Sequence, residues 1–129
     1  MTKFIIPSNV VSKKNSKQIS VRGGKPIVRC SDRYTEWNQF AVMQLRIQAK
    51  GKHFTNCKMI LKFFYGDRRK RDIDNGVASI FDTLKDAGVI EDDNYTLVPK
   101  CYVESDYDKD NPRAEIYIYE PDEMVQIRF

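Results

Sequence analysis

The alternation of apolar and polar residues along the chain predicts four strands, a hairpin and two helices. The residues at 58–65 place Met59, Leu61 and Phe63 at every second position, which is typical of a strand in the middle of a sheet. Gly23-Gly24 tolerates the positive φ of a tight turn and predicts a hairpin. The predicted strands and hairpin cover residues 3–6, 19–29, 58–65, 95–104 and 113–120.

Two helical segments are predicted from apolar spacing and capping residues. The first begins at Ser31 or Asp32 and runs to about Lys50, before Gly51. Its apolar side is predicted to contain Trp37, Phe40, Ala41, Leu45 and Ile47. The second begins near Asn75 and ends at Gly88, and one of its faces carries Val77, Ile80, Phe81 and Leu84 at i, i+3, i+4 and i+7. This order of elements favours an α/β (α+β) fold, with two helices packed on one face of a single mixed β-sheet.

Length and composition favour one domain over residues 1–129. The chain has 129 residues, and 41% of them are hydrophobic, which is enough to bury a core. No apolar run reaches the length of a membrane span, and the first residues lack the apolar stretch of a signal peptide, so the predicted location is cytoplasmic. The cysteines, Cys30, Cys57 and Cys101, form no CxxC pair, which argues for reduced thiols and against a zinc site.

The charge is divided unevenly between the two halves of the chain. Residues 1–62 carry 13 Lys and Arg against 2 Asp and Glu, whereas residues 63–129 carry 9 against 16. The first half therefore suits a polyanionic partner, and the second half supplies carboxylates. Many basic proteins bind no nucleic acid, so this distribution is weak evidence when taken alone.

The richest segment chemically is 68–75, where four cations run into two carboxylates. If this segment continues a strand, Asp72 and Asp74 lie on one side and Ile73 lies in the core. Two neighbouring carboxylates repel each other unless a proton or a divalent cation lies between them, and Mg²⁺ prefers such oxygen ligands. Cations beside such a metal site attract phosphate, a combination that a nuclease requires.

A second acidic position, Asp92-Asp93, lies just beyond the second predicted helix. A helix of about 12 residues is about 18 Å long, so the chain must fold back for these acids to join Asp72 and Asp74. One subunit is the preferred arrangement, and a dimer is the other one. Three or four carboxylates in one place would hold one or two Mg²⁺ ions and activate water. Otherwise Asp92-Asp93 is an ordinary polar turn and Asp74-Asn75 an ordinary helix cap.

Three blocks of the sequence, in this order and spacing, resemble the RusA family of Holliday junction resolvases. They are Asp72-Ile-Asp-Asn, then Ile80-Phe-Asp-Thr-Leu84 with Ala87-Gly88-Val-Ile, and Asp92-Asp93. The resemblance implies a homodimeric, Mg²⁺-dependent endonuclease with an α/β fold, for which Mn²⁺ is a possible substitute cofactor. Such an enzyme cuts branched DNA, namely a four-way junction, by paired symmetric nicks, and is nucleoid-associated when on DNA.

The resemblance also implies which residues act. The family's catalytic acids fall on Asp72, Asp74 and Asp93, which with Asp92 form the expected metal ligands. Apart from the resemblance, positive charge predicts the residues that contact the DNA backbone, which are Lys13, Lys14, Arg68, Arg69, Lys70, Arg71 and Lys85.

One position departs from the family pattern. The family often has a lysine four residues after the second Asp, and this chain has Ala78 there. Lys85, Lys70 or Arg71 would then supply the missing charge, or activity is reduced. An alternative function is therefore a junction- or DNA-binding protein that has reduced or lost nuclease activity. A third interpretation is a structural or RNA-binding module whose acids only cap helices and contact solvent.

Overall fold

The computed structural model describes residues 1–13 and 17–129, and its elements follow the predicted order. The strands and helices are Thr2–Ile6 (β1), Lys17–Arg22 (β2), Lys25–Cys30 (β3), Asp32–Ala49 (α1), Lys58–Tyr65 (β4), Ile73–Asp86 (α2), Lys100–Tyr107 (β5) and Arg113–Tyr119 (β6). The strand predicted over residues 95–104 was wrong in its start, because β5 begins at Lys100. Residues near Asn94 and Thr96 form a turn closed by the Asn94 side chain. The α+β class is confirmed.

The main sheet is mixed and has the order β1-β6-β4-β5. Strand β6 is antiparallel to both β1 and β4, and β5 runs parallel to β4. The prediction that β4 lies inside the sheet is therefore confirmed. The prediction of a single sheet was incomplete, because β2 and β3 pair only with each other among the described residues and form a second, two-stranded sheet.

One hydrophobic core joins the main sheet to both helices. It includes Phe4 and Leu61 from the strands, Leu45 from α1 and Ile80 from α2, all fully buried. Trp37 is a core residue as predicted, and its indole N–H donates to Ser8 Oγ at 2.9 Å. Alternate residues of β4 and β6 supply this core, so the helices and the sheet share the buried side of a two-layer domain.

Helix α1 begins and ends where its capping residues predict. Ser31 Oγ accepts a hydrogen bond from the Tyr34 N–H at 3.2 Å, and Lys50 and Gly51 adopt positive φ angles of 51° and 83° at the other end. Its predicted apolar side was partly wrong, since Phe40 is 38% and Ile47 is 64% exposed. Tyr34 and Ala49 are buried instead. They lie on the face of α1 that contacts β1 and α2, and Ile47 lies outside that face.

Helix α2 begins three residues earlier than predicted, with Asp72 rather than Asn75 as its N-cap. Its end is as predicted: Gly88 has φ 73°, and its N–H donates to the Lys85 carbonyl at 3.0 Å. The next amide, that of Val89, donates to Leu84 at 3.0 Å and starts a turn that leads away from the helix. Segment 68–75 is therefore a loop that enters a helix, and it is not the continuation of β4.

Two further sequence predictions concern thiols and membranes. Cys57 is buried and Cys101 exposed, and both are free thiols. Burial raises the pKa of the Cys57 thiol to about 11, so this thiol is protonated at neutral pH. Within residues 1–13 and 17–129, no helix has the length and apolar character needed to cross a membrane.

Candidate active site

Asp72 and Asp74 lie at the start of α2, directly after the loop that follows β4. Asp72 is the N-cap residue in extended conformation, with φ −76° and ψ 132°, and Asp74 is in the first helical turn. The expectation that Ile73 points into the core was wrong, because its side chain is 53% exposed. The reason is that the helix has already begun at Ile73, so the alternation of a strand no longer applies.

The carboxylate of Asp72 makes no capping hydrogen bond to its own helix. A capping aspartate normally accepts a hydrogen bond from the second or third amide of the helix, so Asp72 departs from that pattern. Both acids nevertheless lie at the start of α2, where the helix dipole attracts negative groups. The start of α2 thus presents negative groups without using Asp72 as a structural cap.

Asp72 lies in the wall of a cleft of about 250 Å³, called here the cationic cleft. The wall is formed by residues 10–12 after β1, Arg33 of α1, Tyr65 at the end of β4, residues 69–72, and Asn75 and Gly76 of α2. Four of these residues carry a positive charge: Arg33, Arg69, Lys70 and Arg71. A carboxylate and several cations therefore share one concave surface, to which phosphate is attracted.

Residues 68–71, called the basic loop, are held by Asp67 and by two aromatic rings. The Arg71 guanidinium donates to both carboxylate oxygens of Asp67, at 2.7 and 2.9 Å, and lies 4.3 Å from the Tyr65 ring centre. These hydrogen bonds, with a further one from the Arg69 N–H, hold the pKa of Asp67 far below its usual range. Arg68 lies 4.0 Å from the Tyr107 ring centre. Arg71 and Arg68 thus have protein partners, while Arg69 and Lys70 belong to the exposed cleft wall.

The third predicted acid, Asp93, lies near the other end of α2. Its Oδ1 is 3.3 Å from Lys85 Nζ, in the last turn of that helix. Lys85 follows Asp74 by about three helical turns, a rise of about 17 Å. The chain beyond Gly88 does not return to the start of α2. Ile90 pairs instead with Phe54, a residue that precedes β4 in the sequence, and this pairing holds the segment after Gly88 in place.

Within the described part of the chain, no three His, Cys, Asp or Glu side chains are grouped closely enough to hold a metal ion. The preferred expectation, that one subunit brings Asp72, Asp74 and Asp93 together, is therefore not met in the single chain. The roles of these residues as catalytic acids and metal ligands stay predictions.

Asp92 closes the turn that carries Asp93. Its two carboxylate oxygens accept hydrogen bonds from the Asp93 N–H at 2.8 Å and from the Asn94 side chain at 3.1 Å. These bonds lower the pKa of Asp92, the Asp93 N–H being the largest cause. His53 supports the same segment, because its Nδ1 donates to the Gly88 carbonyl oxygen at 2.8 Å and its Nε2 lies 2.7 Å from the Glu91 carboxylate. No role was predicted for this histidine, which fixes the turn after α2.

A chain of ion pairs runs along α2 towards Asp93. Lys13 Nζ is 3.3 Å from Asp82 Oδ2, and Lys85 Nζ is 3.6 Å from Asp82 Oδ1. The Lys13 N–H also donates to Ser79 Oγ at 3.1 Å. Burial lowers the pKa of Lys85, but Asp93 and Asp82 outweigh it and raise the pKa above its ordinary value. Lys13 and Lys85, both predicted DNA contacts, thus have acidic partners, and Lys14 lies outside the described residues.

Sequence reasoning missed Arg33, which lies far from the basic segment along the chain and lines the cationic cleft beside Asp72. Its position one residue into α1, after the basic hairpin, was the available signal, but it required knowing that α1 begins beside α2. Asn75, expected to cap α2, is instead a buried helical residue of the cleft wall, 7% exposed.

Comparison with known proteins identifies the family of the chain. The family model of endodeoxyribonuclease RusA matches residues 7–119, which is most of the chain and includes both ends of α2 and the cationic cleft. The chain therefore belongs to the RusA endodeoxyribonuclease family. A relative, the crossover junction endodeoxyribonuclease RusA of Aquifex aeolicus, is 38% identical over 82 residues, which are 63% of this chain and 64% of that protein.

Proposed function

We propose that the protein is an endodeoxyribonuclease that resolves four-way DNA junctions by paired symmetric nicks, in recombination and repair. The observation that carries the proposal is Asp72 in the wall of the cationic cleft, two residues before Asp74 and in the same wall as Arg33, Arg69 and Lys70. The Aquifex aeolicus relative is named as a crossover junction endodeoxyribonuclease, which supports the same substrate. Residues 1–129 would form one endonuclease domain.

We propose Mg²⁺ as the cofactor, with Mn²⁺ as a substitute. The donor set fits a hard cation, because the candidate ligands are carboxylates and the Asp72 carboxylate is not used to cap its helix. When bound, the ion polarises the phosphodiester and lowers the pKa of a bound water. The chain's own contribution is to hold the scissile phosphate against Arg33, Arg69 and Lys70.

A homodimer gives this site its third acid. Asp93 lies by the last turn of α2, so it cannot meet Asp72 of its own chain, but a two-fold partner running the other way would bring its Asp93 to the start of α2. Each of the two sites would then hold Asp72 and Asp74 of one subunit with Asp93 of the partner subunit. Two equal sites related by a two-fold axis also match the symmetry of a four-way junction.

Incubation of the purified protein with a synthetic four-way junction and Mg²⁺ tests the proposal. We expect paired nicks on opposite strands, and their loss on Asp74→Asn with the melting temperature nearly unchanged. Asp122→Asn, a change at an exposed carboxylate in the turn after β6, is the matched control and should cut like the native chain. Absence of nicks across a range of Mg²⁺ and Mn²⁺ concentrations would reject the nuclease.

The second candidate is a junction-binding protein with reduced or lost turnover. It is favoured by Ala78, which stands half-buried on α2 one turn after Asp74, where many family members have lysine. On this proposal the native chain binds junctions in a salt-dependent way without cutting them, and Ala78→Lys generates nicking. Cutting by the native chain that Ala78→Lys leaves unchanged would exclude this second candidate.

A further inference from the structure

The second sheet is a two-stranded ribbon that lies along the chain between two segments of the cationic cleft wall. Strands β2 and β3 pair with each other and with no other strand in the described part of the chain. Ser12, in the cleft wall, precedes β2 by five residues, and Arg33, also in the cleft wall, follows β3 by three. The ribbon is therefore joined to the cleft at both of its chain ends, and the Gly23-Gly24 turn lies at its far end.

The register of the ribbon gives it two different faces. Val21 pairs with Pro26 and Arg22 pairs with Lys25, so the two pairs lie on opposite faces. The first face carries Ile19 and Val21, each 75% exposed. The second face carries the exposed charges of Arg22 and Lys25 at the turn, and Ile27, 38% exposed, two residues from Lys25. A two-stranded ribbon of this kind has little stability alone, and exposed apolar pairs on it indicate a binding partner.

The charge of the ribbon indicates which partner this is. Residues 17–30 contain four Lys and Arg and no Asp or Glu, so a polyanion is the complementary partner. Ile19 and Val21 add apolar side chains, and apolar side chains of DNA-binding proteins often pack against the faces of unstacked bases. A four-way junction exposes such faces at its branch point, whereas an intact duplex buries them in the stack.

We propose that the β2–β3 ribbon is an arm that enters the branch point of the DNA. Arg22 and Lys25 contact backbone phosphates, and Ile19 and Val21 pack against the bases that open there. A two-stranded ribbon is narrow enough to lie in a DNA groove, which lets the arm extend from the cleft along the substrate. The proposal rests on the proposed junction substrate and adds to it the element that recognises the branch.

The test measures DNA opening without cleavage. A four-way junction carrying 2-aminopurine at the branch point is titrated with the full chain in Ca²⁺, and fluorescence reports unstacking of the base. The native chain should raise the fluorescence, and Ile19→Ser with Val21→Ser should abolish the rise and lower the preference for junction over duplex by about tenfold. Arg22→Gln with Lys25→Gln should instead weaken binding to junction and duplex alike and reduce the salt slope by about 2.

The matched control is Met43→Ser with Ile47→Ser, which removes two exposed apolar side chains of α1, 59% and 64% exposed, that line no part of the cationic cleft. This control should behave like the native chain. Full unstacking by the Ile19→Ser, Val21→Ser variant overturns the proposal. A changed oligomeric state of that variant with unchanged unstacking also overturns it, because the apolar face would then bind a second copy.

Failure of the arm is distinguishable from failure of the nuclease. Branch-point unstacking that depends on Ile19 and Val21 supports the arm even if no nicks form in Mg²⁺. Nicking in Mg²⁺ with unstacking that is indifferent to these residues rejects the arm and leaves the nuclease standing.

Discussion

In the basic loop, Arg71 has a structural role that differs from the proposed role of Arg69 and Lys70 in binding phosphate. Its guanidinium is engaged by both oxygens of Asp67 and by the Tyr65 ring, so it stiffens the loop on which Arg69 and Lys70 stand. Cations that position phosphate act best on a fixed backbone, because each ordered side chain loses conformational entropy on binding. Asp67, which has no place in the sequence motif, is thus a support for the candidate site.

Replacing Asp67 should reveal this support through its dependence on pH. The pKa of Asp67 is lowered in the folded chain, chiefly by the Arg71 hydrogen bonds, so its stabilising effect is complete above the ordinary pKa of about 3.9 and is lost as the pH falls through the lowered value. We expect Asp67→Asn to lower the melting temperature equally at pH 7 and pH 5.5. The difference in melting temperature between the native chain and Asp67→Asn should narrow only below about pH 4, and thermal melts measure it.

Asp122→Asn is the control for Asp67→Asn, since Asp122 is an exposed carboxylate in the turn after β6. A gap between the native chain and Asp67→Asn that already narrows between pH 7 and pH 5.5 would contradict the assigned ion pair.

At the scale of elements, α2 reaches β4 through Gly76. A Cβ built on this glycine would lie 3.1 Å from Phe63 Cε2 and 3.2 Å from the Tyr65 hydroxyl, so the helix start lies directly on the end of β4. This close approach places Asp72 and Asp74 beside the loop that carries the cations.

Gly76→Val should therefore destabilise the protein by about 1–3 kcal/mol, because Phe63 is fully buried and cannot move aside easily. Ala78→Val introduces the same side chain two residues further on, at a half-buried position, and should cost under about 1 kcal/mol. Urea denaturation compares the two. Equal losses would mean that α2 does not depend on the missing side chain at Gly76.

Helix α1 shows that the apolar pattern alone does not determine which of its side chains are buried. Ile47 and Leu45 were both assigned to the core from the sequence, but Leu45 is fully buried and Ile47 is 64% exposed. The helix carries apolar residues on more than one side, and only the position of β1 and α2 selects the buried side. Similarly, Ile73 was assigned to a core strand because the point at which β4 gives way to α2 is not marked by apolar spacing.

The resulting prediction is a contrast within one helix. Leu45→Ala should cost about 2–5 kcal/mol in the free energy of unfolding, as large core truncations do. Ile47→Ala should change it by less than about 0.5 kcal/mol, as surface substitutions do. Denaturant unfolding measures both. A large loss with Ile47→Ala would show that a partner covers this face of α1 in solution.

At the scale of the whole molecule, the sequence predicted the order of elements and the family, since periodicity, caps and the three motif blocks are local properties. It did not predict where Asp93 lies relative to Asp72, because that depends on the direction of α2 and on the Phe54–Ile90 pairing. Arg33 was missed for the same reason. The spatial arrangement of residues distant along the chain is decided by strand order, which apolar spacing does not contain.

Mixing two inactive variants tests whether the candidate site is shared between subunits. In a homodimer whose sites combine Asp74 of one chain with Asp93 of the other, Asp74→Asn and Asp93→Asn are each inactive in both sites. A heterodimer of the two variants regains one complete site, because the Asp93→Asn chain supplies Asp72 and Asp74 and the Asp74→Asn chain supplies Asp93. Its other site loses both acids.

Subunit exchange followed by a junction-cleavage assay should therefore restore single-strand nicking in the mixture and leave paired nicking absent. Mixing Asp74→Asn with Asp72→Asn is the control and should restore nothing, since these acids belong to the same half of each site. If the three acids instead met within one subunit, both sites of the Asp74→Asn, Asp93→Asn heterodimer would stay defective. Lack of recovery after demonstrated exchange would then reject the shared site, and the separation of Asp93 from the start of α2 would count against Asp93 as a ligand.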